Sequence, residues 1–143
     1  LAKDNVVELP VKLKAKQSRN RYFHYFIVES EKGYLMSKRG EKDVWANLYE
    51  FPLIETADSM SLEELLMTEE FKQYFDGATV ELIVSQSKHV LSHQNIYASF
   101  YRLSDLNFKE EKKEGWSYCL SENLDKLAKH KLIFSFINQF IKR

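Results

Sequence analysis

Few residues of this chain could do chemistry, and most of those stand in patterns that do not support it. His89 and His93 are four apart, a spacing that on a helix would put two metal ligands on one face. The intervening Val90-Leu91-Ser92, however, reads as a strand running into a turn, and neither a His-Glu-x-x-His motif nor a third ligand accompanies them. Cys119 with a histidine could form a nucleophile pair, but it follows Trp116-Ser117-Tyr118 in an aromatic strand, where a small buried thiol is expected. Glu63-Glu64 and Glu69-Glu70 are acidic pairs of the kind a solvated helix face carries. No glycine-rich loop is present to cradle a phosphate. As a free-standing enzyme this chain is not expected to act.

The elements that would position these residues belong to one domain. A chain of 143 residues with 44% apolar content can bury a sizeable core. No apolar run approaches the roughly 18 residues a membrane-spanning helix needs, and no signal peptide opens the chain, so no membrane partner and a cytoplasmic, bacterial setting are expected. A single cysteine excludes an internal disulfide framework and any cysteine-rich metal or iron–sulfur site within these residues. Leu1 is not a natural initiator, which suggests a piece of a longer protein.

Charge is evenly balanced, 21 basic against 21 acidic residues, which argues against strong autonomous binding to a polyanion. The opening is the exception. Lys3, Lys12, Lys14, Lys16, Arg19 and Arg21 face only Asp4 and Glu8. Such an arm is commonly a solvated linker; its functional reading is a tether whose cations track phosphates and release counterions.

Residues 1–20 read as that linker and residues 21–143 as the domain. Residues 21–30 carry aromatic and β-branched side chains suited to a buried strand, Gly33 marks a turn, and residues 34–38 make a return strand. Residues 48–54 form an apolar stretch broken by Pro52. Ser61-Leu62-Glu63-Glu64 has the form of a capping box, so a helix should follow, with a second piece carrying Phe71, Tyr74 and Phe75 before Gly77 stops it. Residues 80–85, 88–91 and 96–103 read as strands, with residues 92–95 as a turn. Residues 109–114 form a charged loop, residues 116–119 a short strand, and Ser121 caps a short helix. Ile133, Phe136, Ile137, Phe140 and Ile141 then form an apolar stripe at helical spacing. The sum is an α+β domain, a mixed sheet of five to seven strands flanked by two or three helices.

This order of elements resembles the Nudix fold. Its hydrolases carry a G-x5-E box whose helix aims carboxylates at divalent cations on a diphosphate. Six positions after the four glycines stand Arg39, Ala46, Ile83 and Ser121. None is Glu, so the box cannot be placed and diphosphate hydrolysis is not expected.

A narrower resemblance runs through nearly the whole chain. Leu9-Pro10-Val11-Lys12, Arg19-Asn20-Arg21-Tyr22-Phe23, Lys38-Arg39, Trp45, Leu48-Tyr49-Glu50-Phe51-Pro52, His89-Val90-Leu91-Ser92-His93, Trp116 and Leu127-Ala128 stand in an order similar to that of the C-terminal domain of MutY-type adenine DNA glycosylases. Leu91 stands where that family commonly has Phe. The resemblance implies a non-catalytic, monomeric domain that recognises 8-oxoguanine opposite adenine in double-stranded DNA. The N-terminal catalytic domain, with its iron–sulfur cluster, would lie upstream as its partner. No cofactor is implied within these residues.

By the same resemblance Ser92 and His93 meet the lesion; Leu91 and Gln94 beside them are further candidate DNA contacts, and the basic arm's Lys12, Lys14, Lys16, Arg19 and Arg21 are candidate phosphate contacts. The residue types suit that chemistry. Guanine presents N7 as an acceptor, whereas the oxidised base carries a hydrogen there, which a serine hydroxyl can accept. A Ser-His pair in a polar turn also needs no ligand to explain it. His89 is expected to brace the turn, and Trp45, Tyr49, Phe51 and Trp116 to pack. Two other readings remain open: a catalytically dead Nudix-fold module that binds protein, and a diverged nucleotide hydrolase.

Overall fold

The computed structural model describes residues 19–40, 46–91, 93–105 and 115–141. Its centre is β1 (Arg19–Ser30), whose run of aromatic and branched side chains is buried on both faces, as a central strand's should be. β1 runs parallel to β6 (Gln94–Ser104), in register from Arg19 opposite Gln94 to Val28 opposite Leu103. Its other edge is shared. β4 (Leu53–Thr56) pairs antiparallel with the first half, Tyr22 opposite Thr56, and β2 (Gly33–Lys38) with the end, Ser30 opposite Gly33. β3 (Tyr49–Glu50) and β7 (Trp116–Cys119) both pair with β2. β5 (Thr79–Leu91) lines the far side of β6, so the path runs β3-β2-β1-β6-β5. The expected mixed α+β sheet is what forms.

Alternation along β1 sorts the core into two layers. Phe23, Tyr25 and Ile27 face one way, joining Ile96, Phe100, Ile133 and Phe136. Phe26 and Val28 face the other, joining Tyr101, Leu103, Leu65, Phe71 and Phe75. The first layer is closed by α3 (Lys131–Phe136), which continues as a single π-helical stretch, Ile137–Ile141. Phe136 stacks on Phe100 with ring centroids 4.1 Å apart and meets Phe51 edge-on at 5.8 Å, two of the arrangements aromatic pairs favour. The second layer is closed by α1 (Leu62–Leu66) and α2 (Glu69–Phe75).

The capping box forms as expected. Glu64 N–H donates to the Ser61 hydroxyl at 3.2 Å, and Ser61 N–H to the Glu64 carboxylate at 2.9 Å. Thr68 caps α2 in the same way through Phe71 N–H. Gly33 sits at φ +109°, and a Cβ there would collide with the Cys119 carbonyl, so the β1–β2 turn needs glycine.

Four expectations change. Residues 80–91 are one strand rather than two, carried through two register shifts; Gln86 sits at φ 44° and its unpaired N–H donates to the Ser99 hydroxyl at 2.9 Å, as a bulge requires. β6 begins at Gln94, so Gln94 and Asn95 are ladder residues and the turn is tighter than the four residues expected. Ser121 does not cap its helix. The segment Ser121–Lys126 is a 3-10 helix whose N-cap is Leu120, without a side-chain bond. Cys119 is half-buried, its thiol donating to the neighbouring Leu120 carbonyl at 3.5 Å, because β7 pairs at the sheet's margin. The charged loop at 109–114 and Trp45 lie outside the described residues.

Candidate DNA-lesion site

The β5–β6 connection brings Leu91, His93 and Gln94 to one end of the sheet, at the point where β1 begins with Arg19. Leu91, the last residue of β5, is half-buried and packs on the first core layer. His93 is exposed, and its carbonyl accepts from the backbone N–H of Arg19 at 2.9 Å. Ser92, like Lys12, Lys14 and Lys16, lies outside the described residues. The turn is therefore held from below by apolar packing and from the side by the first residue of β1.

Gln94 and Arg21 serve the scaffold. The Arg21 guanidinium donates twice to Glu55, at 2.8 and 2.7 Å, and once to the Gln94 side-chain oxygen at 2.9 Å. It also lies over the Phe23 ring, 4.9 Å from its centroid. Arg21 is therefore turned into the protein rather than displayed on a basic arm, because Glu55 on β4 gives it a forked carboxylate partner. Gln94 spends its acceptor on Arg21, so the base or phosphate contact expected of it is already occupied on that side. Arg19, one alternation earlier, is exposed.

On the opposite face of the same strands, Tyr22 stacks on Tyr97 at 5.2 Å, and the Lys88 ammonium lies 5.8 Å from the Tyr97 ring centre. Asn95 donates to the Asn20 side-chain oxygen at 3.0 Å. The sheet end is thus polar and aromatic on one face and braced by an ion pair on the other. Lys88 stands in no motif; the β1–β6 and β5–β6 registers together make it a neighbour of Tyr22 and Asn20.

His89 sits half-buried with Nε2 3.2 Å from the Ser87 hydroxyl. Burial lowers its pKa, and the nearby His130 and Lys131 lower it further. The bond of its side chain lies within β5, two residues back, rather than to the turn it was expected to brace.

A second polar cluster was not anticipated. Glu50, 3% exposed, accepts from the Tyr25 hydroxyl at 2.8 Å and from Arg39 at 2.7 Å, with His130 Nε2 at 3.3 Å. Glu50 stood out only as part of a motif, and His130 is eighty residues away, so no local signal joined them. The cluster ties β3 to the segment before α3.

The helices that take the place of a Nudix box do not suit divalent cations. Glu64 is spent on its own cap, Glu63 and Glu69 are exposed, and no group of three His, Cys, Asp or Glu gathers among the described residues. Among the described residues these helices gather no oxygen-donor set of the kind a divalent cation takes. No helix is long and apolar enough to cross a membrane among the described residues.

The sequence matches the NUDIX domain family over residues 24–139, and the chain belongs to that family. No curated protein matches it. Among solved structures, the C-terminal domain of mouse MUTYH, in complex with human PCNA, is similar at a TM-score of 0.64 and 16% identity, over 84% of this chain and 86% of that one. MutT protein from Methanosarcina mazei gives 0.59 and 16%, over 86% and 94%. The E. coli ORF135 protein gives 0.56 and 18%, over 85% and 92%. At these identities the likeness is one of fold, shared by the MUTYH domain and the MutT protein alike.

Proposed function

We propose that this domain recognises 8-oxoguanine opposite adenine in duplex DNA, as the non-catalytic part of a MutY-type adenine DNA glycosylase. The observation that carries the reading is the tight β5–β6 connection, with exposed His93 held by Arg19 at the sheet end where β1 begins. The fold's likeness to the mouse MUTYH domain and the lack of a Nudix box support it. Ser92 accepts from N7–H of the oxidised base, and turn N–H groups donate to its 8-oxygen. The parent enzyme hydrolyses the N-glycosidic bond of a flipped adenine through residues, and an iron–sulfur cluster, of its catalytic domain. Tethering to that domain raises the effective concentration to about the millimolar range, so weak intrinsic affinity suffices.

NMR titration of the chain tests this. Duplexes with 8-oxoguanine opposite adenine should shift residues 91–94 more than guanine duplexes do. Equal shifts from both would overturn the reading.

A second reading, a Nudix-fold module that binds protein, draws on one observation: the mouse MUTYH domain was solved in complex with PCNA. Neutral net charge suits it. Binding insensitive to salt and to DNA would favour it.

A further inference from the structure

The strand registers set Leu91, Gln94 and Arg19 side by side across β5, β6 and β1 at the end of the sheet. Leu91 packs on the first core layer, so this row lies on that layer's face, and Arg21 follows on the same face of β1. Gln94 is half-buried, and its side-chain oxygen accepts from Arg21 Nη1 at 2.9 Å. A guanidinium can only donate. Gln94 must therefore turn its oxygen to Arg21 and its two side-chain N–H donors away from it. Among the described residues no protein acceptor takes those donors.

Arg21 is itself immobilised. Its guanidinium forks onto Glu55 at 2.8 and 2.7 Å and lies 4.9 Å from the centre of the Phe23 ring, and its side chain is 10% exposed. With its charge met by Glu55, what Arg21 passes to the sheet end is an oriented, neutral donor on Gln94. A charge-assisted bond to the amide oxygen polarises the amide and strengthens its N–H groups as donors. An amide held before binding also gives up little side-chain freedom on meeting a ligand.

We infer that Gln94 is a specificity residue of the lesion site, its side-chain N–H donating to the 8-oxygen of 8-oxoguanine, with Arg21 and Glu55 as its positioning residues. The assignment rests on the lesion reading proposed above. Guanine carries C8–H at that point and offers nothing to accept, so the contact is lost rather than reoriented. A serine hydroxyl, by contrast, can turn and donate to N7 of guanine. A carbonyl oxygen has two lone pairs, so the 8-oxygen can take this bond beside one from the turn. The neutral amide suits a base oxygen better than a phosphate, and Leu91 directly across from Gln94 is an apolar neighbour for the base.

Affinities of the chain for duplexes with 8-oxoguanine or guanine opposite adenine, together with NMR of the Gln94 side-chain amide, test this. The lesion duplex should shift that amide's proton pair, and the guanine duplex should leave it in place. Gln94→Glu keeps an acceptor for Arg21 but has no N–H; Gln94→Met removes the donor without adding charge. Each should lower the ratio of the two affinities by about fivefold, the scale of one hydrogen bond. Arg21→Lys keeps the charge and loses the fork, so the ratio should fall and the Gln94 amide shift should shrink; wild-type values of both would remove Arg21 from the positioning role. A Gln94 amide unmoved by the lesion duplex, while the backbone of residues 91–93 shifts, would overturn the assignment and leave the lesion reading standing. Equal weakening of both duplexes by Gln94→Met would also overturn it, marking a backbone contact. A wild type that binds both duplexes equally would bring down the lesion reading, and this inference with it.

Discussion

The backbone N–H of Arg19 donates to the carbonyl oxygen of His93 at 2.9 Å, so the first residue of β1 is bonded to the turn between β5 and β6. The parallel ladder then continues from Arg19 opposite Gln94, and Arg21 adds a side-chain bond to Gln94 two residues later. The turn is fixed on both its backbone and its neighbour's side chain. A turn ordered before binding loses less conformational freedom on meeting a ligand.

Arg19→Pro removes that donor at the first position of a strand, where proline is tolerated. The expected outcome is faster amide exchange at residues 93–95 with a global cost of about 1 kcal/mol, the net worth of one hydrogen bond. Exchange rates indistinguishable from wild type would show that the bond does not hold the turn.

His24 makes stability depend on pH. It is 3% exposed, with Nδ1 3.2 Å from the Tyr101 hydroxyl oxygen and Nε2 3.0 Å from the Thr56 hydroxyl oxygen, and burial lowers its pKa to about 4. The folded state therefore favours the neutral ring, while the unfolded chain takes up a proton near pH 6.5. Stability present above pH 6.5 is lost as the pH falls from there toward about 4, by on the order of 3 kcal/mol. His89, lowered in the same direction by burial and neighbouring cations, adds to the effect. Urea midpoints at pH 7.5 and 4.5 should differ markedly in the wild type and less in His24→Gln. An equal difference in both would assign the dependence elsewhere.

Glu50 should be among the most sensitive positions in the domain. It joins Tyr25, Arg39 and His130 in a buried cluster, and Glu50→Ala leaves the Arg39 charge, its side chain 10% exposed, without this carboxylate. Losing one partner of a buried pair costs about 3–5 kcal/mol. Glu50→Gln, which keeps the shape and an acceptor for the Tyr25 hydroxyl, should cost less. Urea denaturation of the two variants measures both, and a loss in Glu50→Ala below that of Glu50→Gln would contradict this view of the cluster.

Features encoded within a few residues were legible in the chain. The Ser61–Glu64 capping box, the glycine turn at Gly33 and the alternation around Tyr22 to Val28 each depend on neighbours in sequence, and each forms. What escaped depends on distant partners. Arg21 looked like part of a basic arm because Glu55 and Gln94, which turn it inward, are 34 and 73 residues away. β5 looked broken because its Gln86 bulge is satisfied by Ser99 on the next strand. The Glu50–His130 contact likewise exists only once the sheet has closed.

The most direct test of the proposed lesion recognition uses the full-length protein, which the proposal makes an adenine glycosylase, in single-turnover excision of adenine opposite 8-oxoguanine and opposite guanine. Ser92→Ala should lower the ratio of the two rates by up to about tenfold, the worth of one hydrogen bond, while adenine opposite guanine is excised at the wild-type rate. An unchanged ratio would remove the β5–β6 turn from recognition and contradict the account.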